Sequence, residues 1–170
     1  MLFKWLMGEV AGQAPSASEE LIALVSRSLP QTNAHEAAII GALAGLMATV
    51  AHADRQYCEA EREAVSSAFA KIHALPADAL GAIEELFAER LTDLAHEPMQ
   101  TYARVLYEGL TREARLEVLE ALMDLAAADE ILDMNETNLL RRIARGLGLS
   151  DQEYVASQAR HRERLSVLRG

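Results

Sequence analysis

One segment of this chain occurs twice, and the repeat constrains the fold more than any other feature of the sequence. Residues 46–61 (LMATVAHADRQYCEAE) align without a gap to residues 121–136 (ALMDLAAADEILDMNE), and the apolar positions on both sides stay in register. Each copy carries the same acidic pair: Asp54 with Glu61, then Asp129 with Glu136. Such self-similarity predicts two copies of one supersecondary unit that face each other across a shared core.

The composition favours helices throughout. Alanine and leucine are abundant, aromatic residues make up 5% of the chain, and β-branched runs are nearly absent. Small and straight-chain residues lose little side-chain freedom in a helix. The predicted fold class is therefore all-α: a compact bundle of about seven to eight helices built from two pseudo-repeats.

Apolar spacing and turn residues place these helices along the chain. Ser18 is predicted to cap the first, and Ser150 with Glu153 has the spacing of a capping box for the last, as has Asp133 with Glu136 for the one before it. The predicted helices span about 18–29, 35–53, 59–73, 76–91, 99–110, 111–128, 133–147 and 150 onwards. The predicted domain organisation is an apolar arm and linker (1–17), a helical domain (18–156) with repeats around 35–75 and 111–150, and the basic end of the last helix (157–170).

Charge and apolar patterning limit the classes of partner. The formal charge is −10, a field that repels phosphate backbones, so nucleic acid is not expected as a partner. No stretch is predicted to span a bilayer and no signal peptide is evident, so the expected location is the cytoplasm. Four apolar residues of the arm would allow membrane contact, which we do not favour over contact with the domain or with a protein partner: Leu2, Phe3, Trp5 and Leu6.

The repeated acids allow two interpretations. Asp54 and Asp129 are predicted to close long helices, where the helix dipole disfavours a carboxylate, so something should compensate. In the first interpretation each aspartate forms a local turn or caps the next helix, and Glu61 and Glu136 lie in a favourable first turn. In the second the two pairs converge into an oxygen-only metal site for Ca²⁺, Mg²⁺ or Mn²⁺. Neither copy has the ligand spacing of an EF-hand loop.

The repeated motif resembles the TerB family, named for tellurite-resistance proteins, whose domain also occurs at the N-terminus of DjlA-type membrane-anchored co-chaperones. The likeness covers about residues 35–156. It rests on these segments: Val50–Asp54 with Glu61–Glu63, Leu125–Asp129 with Glu136, then Leu139–Ala144 and Leu147–Ser150. The resemblance implies an all-helical two-repeat fold, acidic turns and a bacterial role in tellurite or stress resistance, without implying a reaction. The family usually has Gly after the Asp, where this chain has Arg55 and Glu130, and Arg55 could neutralise one carboxylate.

No other constellation predicts catalysis. The five histidines are scattered, His52 should point away from Asp54, and the HExxH motif and phosphate-binding glycine loops are absent from the sequence. A lone Cys58 excludes an intramolecular disulfide and is more simply a small, partly buried residue than a redox centre. The expected function is thus non-enzymatic binding of a divalent cation or a protein partner through the acidic turns. The alternative is a structural interaction scaffold whose acids only cap helices, with contacts made through the arm.

Overall fold

The computed structural model describes residues 15–53, 57–70, 77–128 and 134–168, and gives only the backbone of 77–78 and 163–168. All regular structure within these ranges is helical, which confirms the all-α prediction. The helices are α1 (Ala17–Ser28), α2 (Ala34–Ala51), α3 (Glu59–Ala70), α4 (Ala77–His96), α5 (Met99–Gly109), α6 (Arg112–Ala126), α7 (Met134–Gly146) and α8 (Asp151–Leu168).

The start of α1 differs from the prediction. Ser16, not Ser18, is the N-cap: its hydroxyl accepts from the Glu19 N–H, and the Glu19 carboxylate accepts from the Ser16 N–H. Ser18 instead donates both its N–H and its hydroxyl to Glu97, at 3.0 and 2.6 Å. By local sequence either serine could be the cap. The hydrogen bonds between Ser18 and Glu97, just after the end of α4, decide between them.

Helix α2 is the centre of the bundle. It packs against α1, α4, α5, α6 and α7, and its buried residues lie around the whole helix rather than on one stripe. By length and composition α2 is apolar enough to cross a membrane, yet 61% of it is buried inside the bundle. A helix that is hydrophobic all round belongs in a core or a membrane, and here burial accounts for it.

Two glycines let neighbouring helices approach α2 closely. A Cβ at Gly45 would overlap the ring of Tyr102 from α5, and a Cβ at Gly41 would meet the side chain of Ile22 from α1. The Tyr102 ring is buried and its hydroxyl donates to the carbonyl oxygen of Leu94 at 3.0 Å. The ring therefore lies across the backbone of α2 in a fixed position.

The two repeats pack on each other reciprocally. The α2–α3 unit and the α6–α7 unit meet through α2 on α6, through α3 on α6 and through α2 on α7. Residues at equivalent positions of the two units, Ile39 with Ala114 and Leu43 with Val118, line one shared groove. This arrangement is the shared core that the internal repeat predicts.

Helix α8 packs against α6 and α7 of the second repeat. Gly148, with φ of +69°, turns the chain after α7, and the predicted Ser150–Glu153 capping box then opens α8. Polar contacts fix α8 to α6: Arg112 with Glu153, Arg160 with Glu120, and His161 with Asp124. Arg160, within the predicted basic end, is thus neutralised by a carboxylate of the same chain.

Candidate functional site

The first acidic turn joins α2 to α3. Helix α2 ends with His52 as its C-cap, and α3 begins at Glu59. Asp54 and Arg55 lie outside the described residues. The Glu61 carboxylate accepts a hydrogen bond from the Cys58 N–H at 2.7 Å, and Glu61 is only 5% exposed. This half of the predicted pair is therefore a buried carboxylate in the first turn of a helix.

The second acidic turn repeats this placement. Glu136 is the third residue of α7, as Glu61 is the third of α3, and Glu136 is 8% exposed. Asp129 and Glu130 lie outside the described residues, as does Asp133, the predicted N-cap of α7. The two glutamates of the repeat therefore share both their position in the helix and their burial.

Three other glutamates occupy the same helix position and serve as a comparison. Glu19, Glu36 and Glu153 are also the third residues of their helices. Each accepts from the backbone N–H of its N-cap residue, at 2.8, 3.0 and 2.8 Å, as in a capping box. Glu19 and Glu36 are exposed and Glu153 is partly exposed. A capping glutamate therefore does not need to be buried, and burial distinguishes Glu61 and Glu136 from the other three.

Burial is the costly part of this arrangement. A carboxylate taken out of water loses its hydration, and only well-formed partners offset that loss. The helix dipole and a backbone N–H supply some of this compensation for Glu61. Among the described residues, no group of three or more His, Cys, Asp or Glu side chains is placed to hold a metal ion. Convergence of the four predicted ligands remains a prediction, because Asp54 and Asp129 are not described.

A histidine pair lies beside the first acidic turn, and sequence reasoning missed it. The rings of His52 and His96 meet edge to face, with centroids 5.5 Å apart. His52 closes α2 and His96 closes α4, 44 positions later, so no local spacing signals the contact. The pair fixes the end of α4 against the start of the turn.

The aromatic cluster after the turn is structural. Tyr57 packs on Phe87 of α4, and the Arg62 guanidinium lies 5.5 Å from the centre of the Tyr57 ring. Burial raises the pKa of Tyr57 to about 12, so its hydroxyl stays protonated at neutral pH. Cys58 is a half-buried free thiol; its backbone N–H donates to Glu61, and its carbonyl oxygen accepts from the Arg62 N–H. These side chains hold the start of α3 on α4.

The family model described as tellurite resistance protein TerB matches residues 41–159, more than half of the chain. The chain belongs to the TerB family. This confirms the resemblance read from the repeated acidic motif, and the matched range includes all four predicted ligands of the TerB-family chain. Helix α1 and the arm precede the match. No curated protein and no solved structure matches the chain.

Proposed function

We propose that this TerB-family chain is a non-enzymatic binding module whose acidic turns bind a divalent cation. Asp54 and Glu61 from the first turn, with Asp129 and Glu136 from the second, would supply the ligands. A set of carboxylate oxygens suits the hard cations Ca²⁺, Mg²⁺ or Mn²⁺ better than zinc. The observation that carries the proposal is the burial of both repeated glutamates, because capping glutamates elsewhere in the chain remain exposed or partly exposed.

Burial of this kind favours a cation for a physical reason. A hard cation needs negatively charged oxygens held in place, and its own charge offsets the cost of taking them out of water. Two buried carboxylates at equivalent positions give each repeat one such oxygen source. The departures from glycine at Arg55 and Glu130 leave both glutamates present in the sequence.

The biological setting that we propose comes from the family. Because the TerB family is named for tellurite resistance, we place the chain in a bacterial tellurite or stress response, in the cytoplasm. Cation binding would then control how the module meets a protein partner. In the alternative, the acids only cap helices and the chain is an interaction scaffold.

Calorimetric titration with Ca²⁺, Mg²⁺ and Mn²⁺ tests the proposal. We expect saturable binding of at least one ion, and we expect Glu61→Gln or Glu136→Gln to weaken it by at least about tenfold, which is about 1.4 kcal/mol. Glu36→Gln is the matched control, since it removes a charge at the same helix position of α2 and should leave the titration unchanged. Equal ion responses in all three variants, or no binding by the unaltered chain, would favour the capping alternative.

A further inference from the structure

A groove of about 610 Å³ lies between α1 and α4. Its floor is apolar and formed by Ala23 and Leu24 from α1 with Ala82 and Leu86 from α4. Both leucines are half-buried, so their side chains pack partly on the core and partly face the groove. We call this feature the α1–α4 groove.

The chain enters the domain at this groove. Pro15, the first described residue, is part of its lining. The fourteen residues before Pro15, here called the N-terminal arm, are therefore tethered at the groove itself. The arm contains the apolar block Leu2-Phe3-Lys4-Trp5-Leu6-Met7, followed by a linker, GEVAGQA, with two glycines and one acid.

We infer that the α1–α4 groove binds the N-terminal arm of the same chain. The tether makes this docking intramolecular, so the arm is present at a high effective concentration that a separate partner would lack. The linker from Gly8 to Ala14 has seven residues and spans at most about 25 Å when extended. The α1 wall from Glu19 to Arg27 is about 12 Å long at the helical rise, so the arm reaches the whole groove.

The groove is lined by four acids and one cation, Arg27 on α1, so its charge favours a basic group of the arm. Glu85 and Glu89 lie one turn apart on its α4 rim, both are exposed, and neither forms an ion pair with a described residue. Like charges at this spacing repel each other, and a cation between them removes the repulsion. Lys4 is the only basic residue of the arm and stands inside its apolar block. Docking the apolar block on the floor would bring Lys4 to this acidic rim.

This inference is independent of the proposed cation binding. The groove uses none of the four predicted ligands, and α1 precedes the residues that match the family model. A docked arm would cover apolar surface that is otherwise open to solvent. Two competing occupants, a lipid surface for the arm and a second copy of the chain for the groove, give different results in the experiment below.

The single tryptophan makes the inference directly testable. Trp5 is the only Trp in the chain, so intrinsic tryptophan fluorescence reports on the arm alone. In a dilute solution of the unaltered chain we expect a blue-shifted emission maximum and protection from acrylamide quenching. Leu86→Lys places a charge on the groove floor, and should shift the emission to the red and raise the quenching constant several-fold. Val155→Lys is the control, because Val155 is an exposed apolar residue on α8, outside the groove.

A second variant protects the test against misfolding. Glu85→Lys with Glu89→Lys reverses the rim at two exposed positions and should also increase quenching, while far-UV circular dichroism stays unchanged. Red-shifted, freely quenched emission from the unaltered chain would overturn the inference. So would a blue shift that appears only with anionic phosphatidylglycerol vesicles, or one that grows with protein concentration, since these would identify a lipid surface or a second copy as the occupant.

Discussion

The two long helices of the repeat, α2 and α6, occupy equivalent sequence positions in different surroundings. Where α2 has Gly41 and Gly45, α6 has Leu116 and Glu120. The glycines of α2 admit α1 and α5 against its backbone. Glu120 of α6 instead bonds Arg160 of α8, at 2.7 Å. At these positions α2 is therefore covered by close helix packing, whereas α6 forms a charged contact with α8.

Some features of the two repeats differ, and one feature is the same in both. The neighbours of the two long helices have diverged, and so have the residues after the aspartates, Arg55 and Glu130. The buried glutamate at the third position of the following helix has not, since Glu61 and Glu136 share it. A feature that survives in both surroundings is better explained by a shared task than by local packing.

Truncating equivalent core residues tests whether the two repeats form one core, and we expect these changes to destabilise the chain most. Met47 and Leu122 are equivalent positions, and both are fully buried. We expect Met47→Ala and Leu122→Ala each to lower the free energy of unfolding by about 2–5 kcal/mol, from lost burial and the cavity left behind. Urea unfolding followed by circular dichroism and by tyrosine fluorescence measures this. Two separate transitions, or a loss confined to one variant, would show that the repeats do not share a core.

A substitution at Gly45 tests the close approach of the Tyr102 ring to α2, and should have the next largest effect. Gly45→Ala places a Cβ against the buried ring of Tyr102, so we expect a net loss of about 1–3 kcal/mol despite the better helix propensity of alanine. Gly81→Ala in α4 is the matched control, because no atom lies within 4 Å of its Cβ position. For the control, the free energy of unfolding measured in urea should rise by about 0.5–1 kcal/mol. Stabilisation by Gly45→Ala would mean that Tyr102 is not fixed on α2.

A pH dependence tests the attachment of α8 to the second repeat. The Arg112 side chain, helped by the Ser150 N–H and hydroxyl, lowers the pKa of Glu153 to about 2. Its pKa is higher in the unfolded chain, about 4.3. The stability that Glu153 supplies is therefore present above that value and lost as the pH falls towards 2. Between pH 6 and pH 3 the free energy of unfolding, measured in urea, should fall less steeply with pH for Glu153→Gln than for the unaltered chain. An identical pH dependence in the two proteins would contradict the lowered pKa of Glu153.

The smallest expected effect concerns the ion pair at the diverged position. Glu120 and Arg160 are partly exposed, with side-chain exposures of 30% and 52%. A double-mutant cycle of Glu120→Ala and Arg160→Ala should give a coupling free energy of about 0.2–1 kcal/mol that decreases with salt. A coupling free energy well above about 1 kcal/mol, or one that does not change with salt, would contradict the description of this contact as a partly exposed ion pair.

Local sequence signals predicted much of the fold. The repeat register and the capping box of α8 both hold in the structure. The exceptions depend on long-range contacts. Ser18 is not the cap because it forms hydrogen bonds to Glu97, 79 positions away. Helix α4 is also longer than predicted, since it continues past Leu91 to His96. No short-range pattern carries that information.

The candidate site was less accessible from sequence. The repeat identified Glu61 and Glu136, because identity at equivalent positions is visible without a structure. Their burial was not visible, since the same position in other helices holds the exposed Glu19 and Glu36. The approach of His52 to His96 also escaped, because two helix ends meet there only after the bundle has formed.

Thermal unfolding with and without a divalent cation tests whether the acidic turns bind such an ion. The unaltered chain in EDTA is compared with the same chain in Ca²⁺, Mg²⁺ or Mn²⁺, beside Asp54→Asn with Asp129→Asn. At about 100 times the dissociation constant, binding to the native state adds about 2.7 kcal/mol, which raises the midpoint by roughly 5–10 °C for a chain of this size. We predict this saturable rise in the unaltered chain and its loss in the double variant. No rise with any of the three ions, or an equal rise in the double variant, would contradict cation binding by the acidic turns.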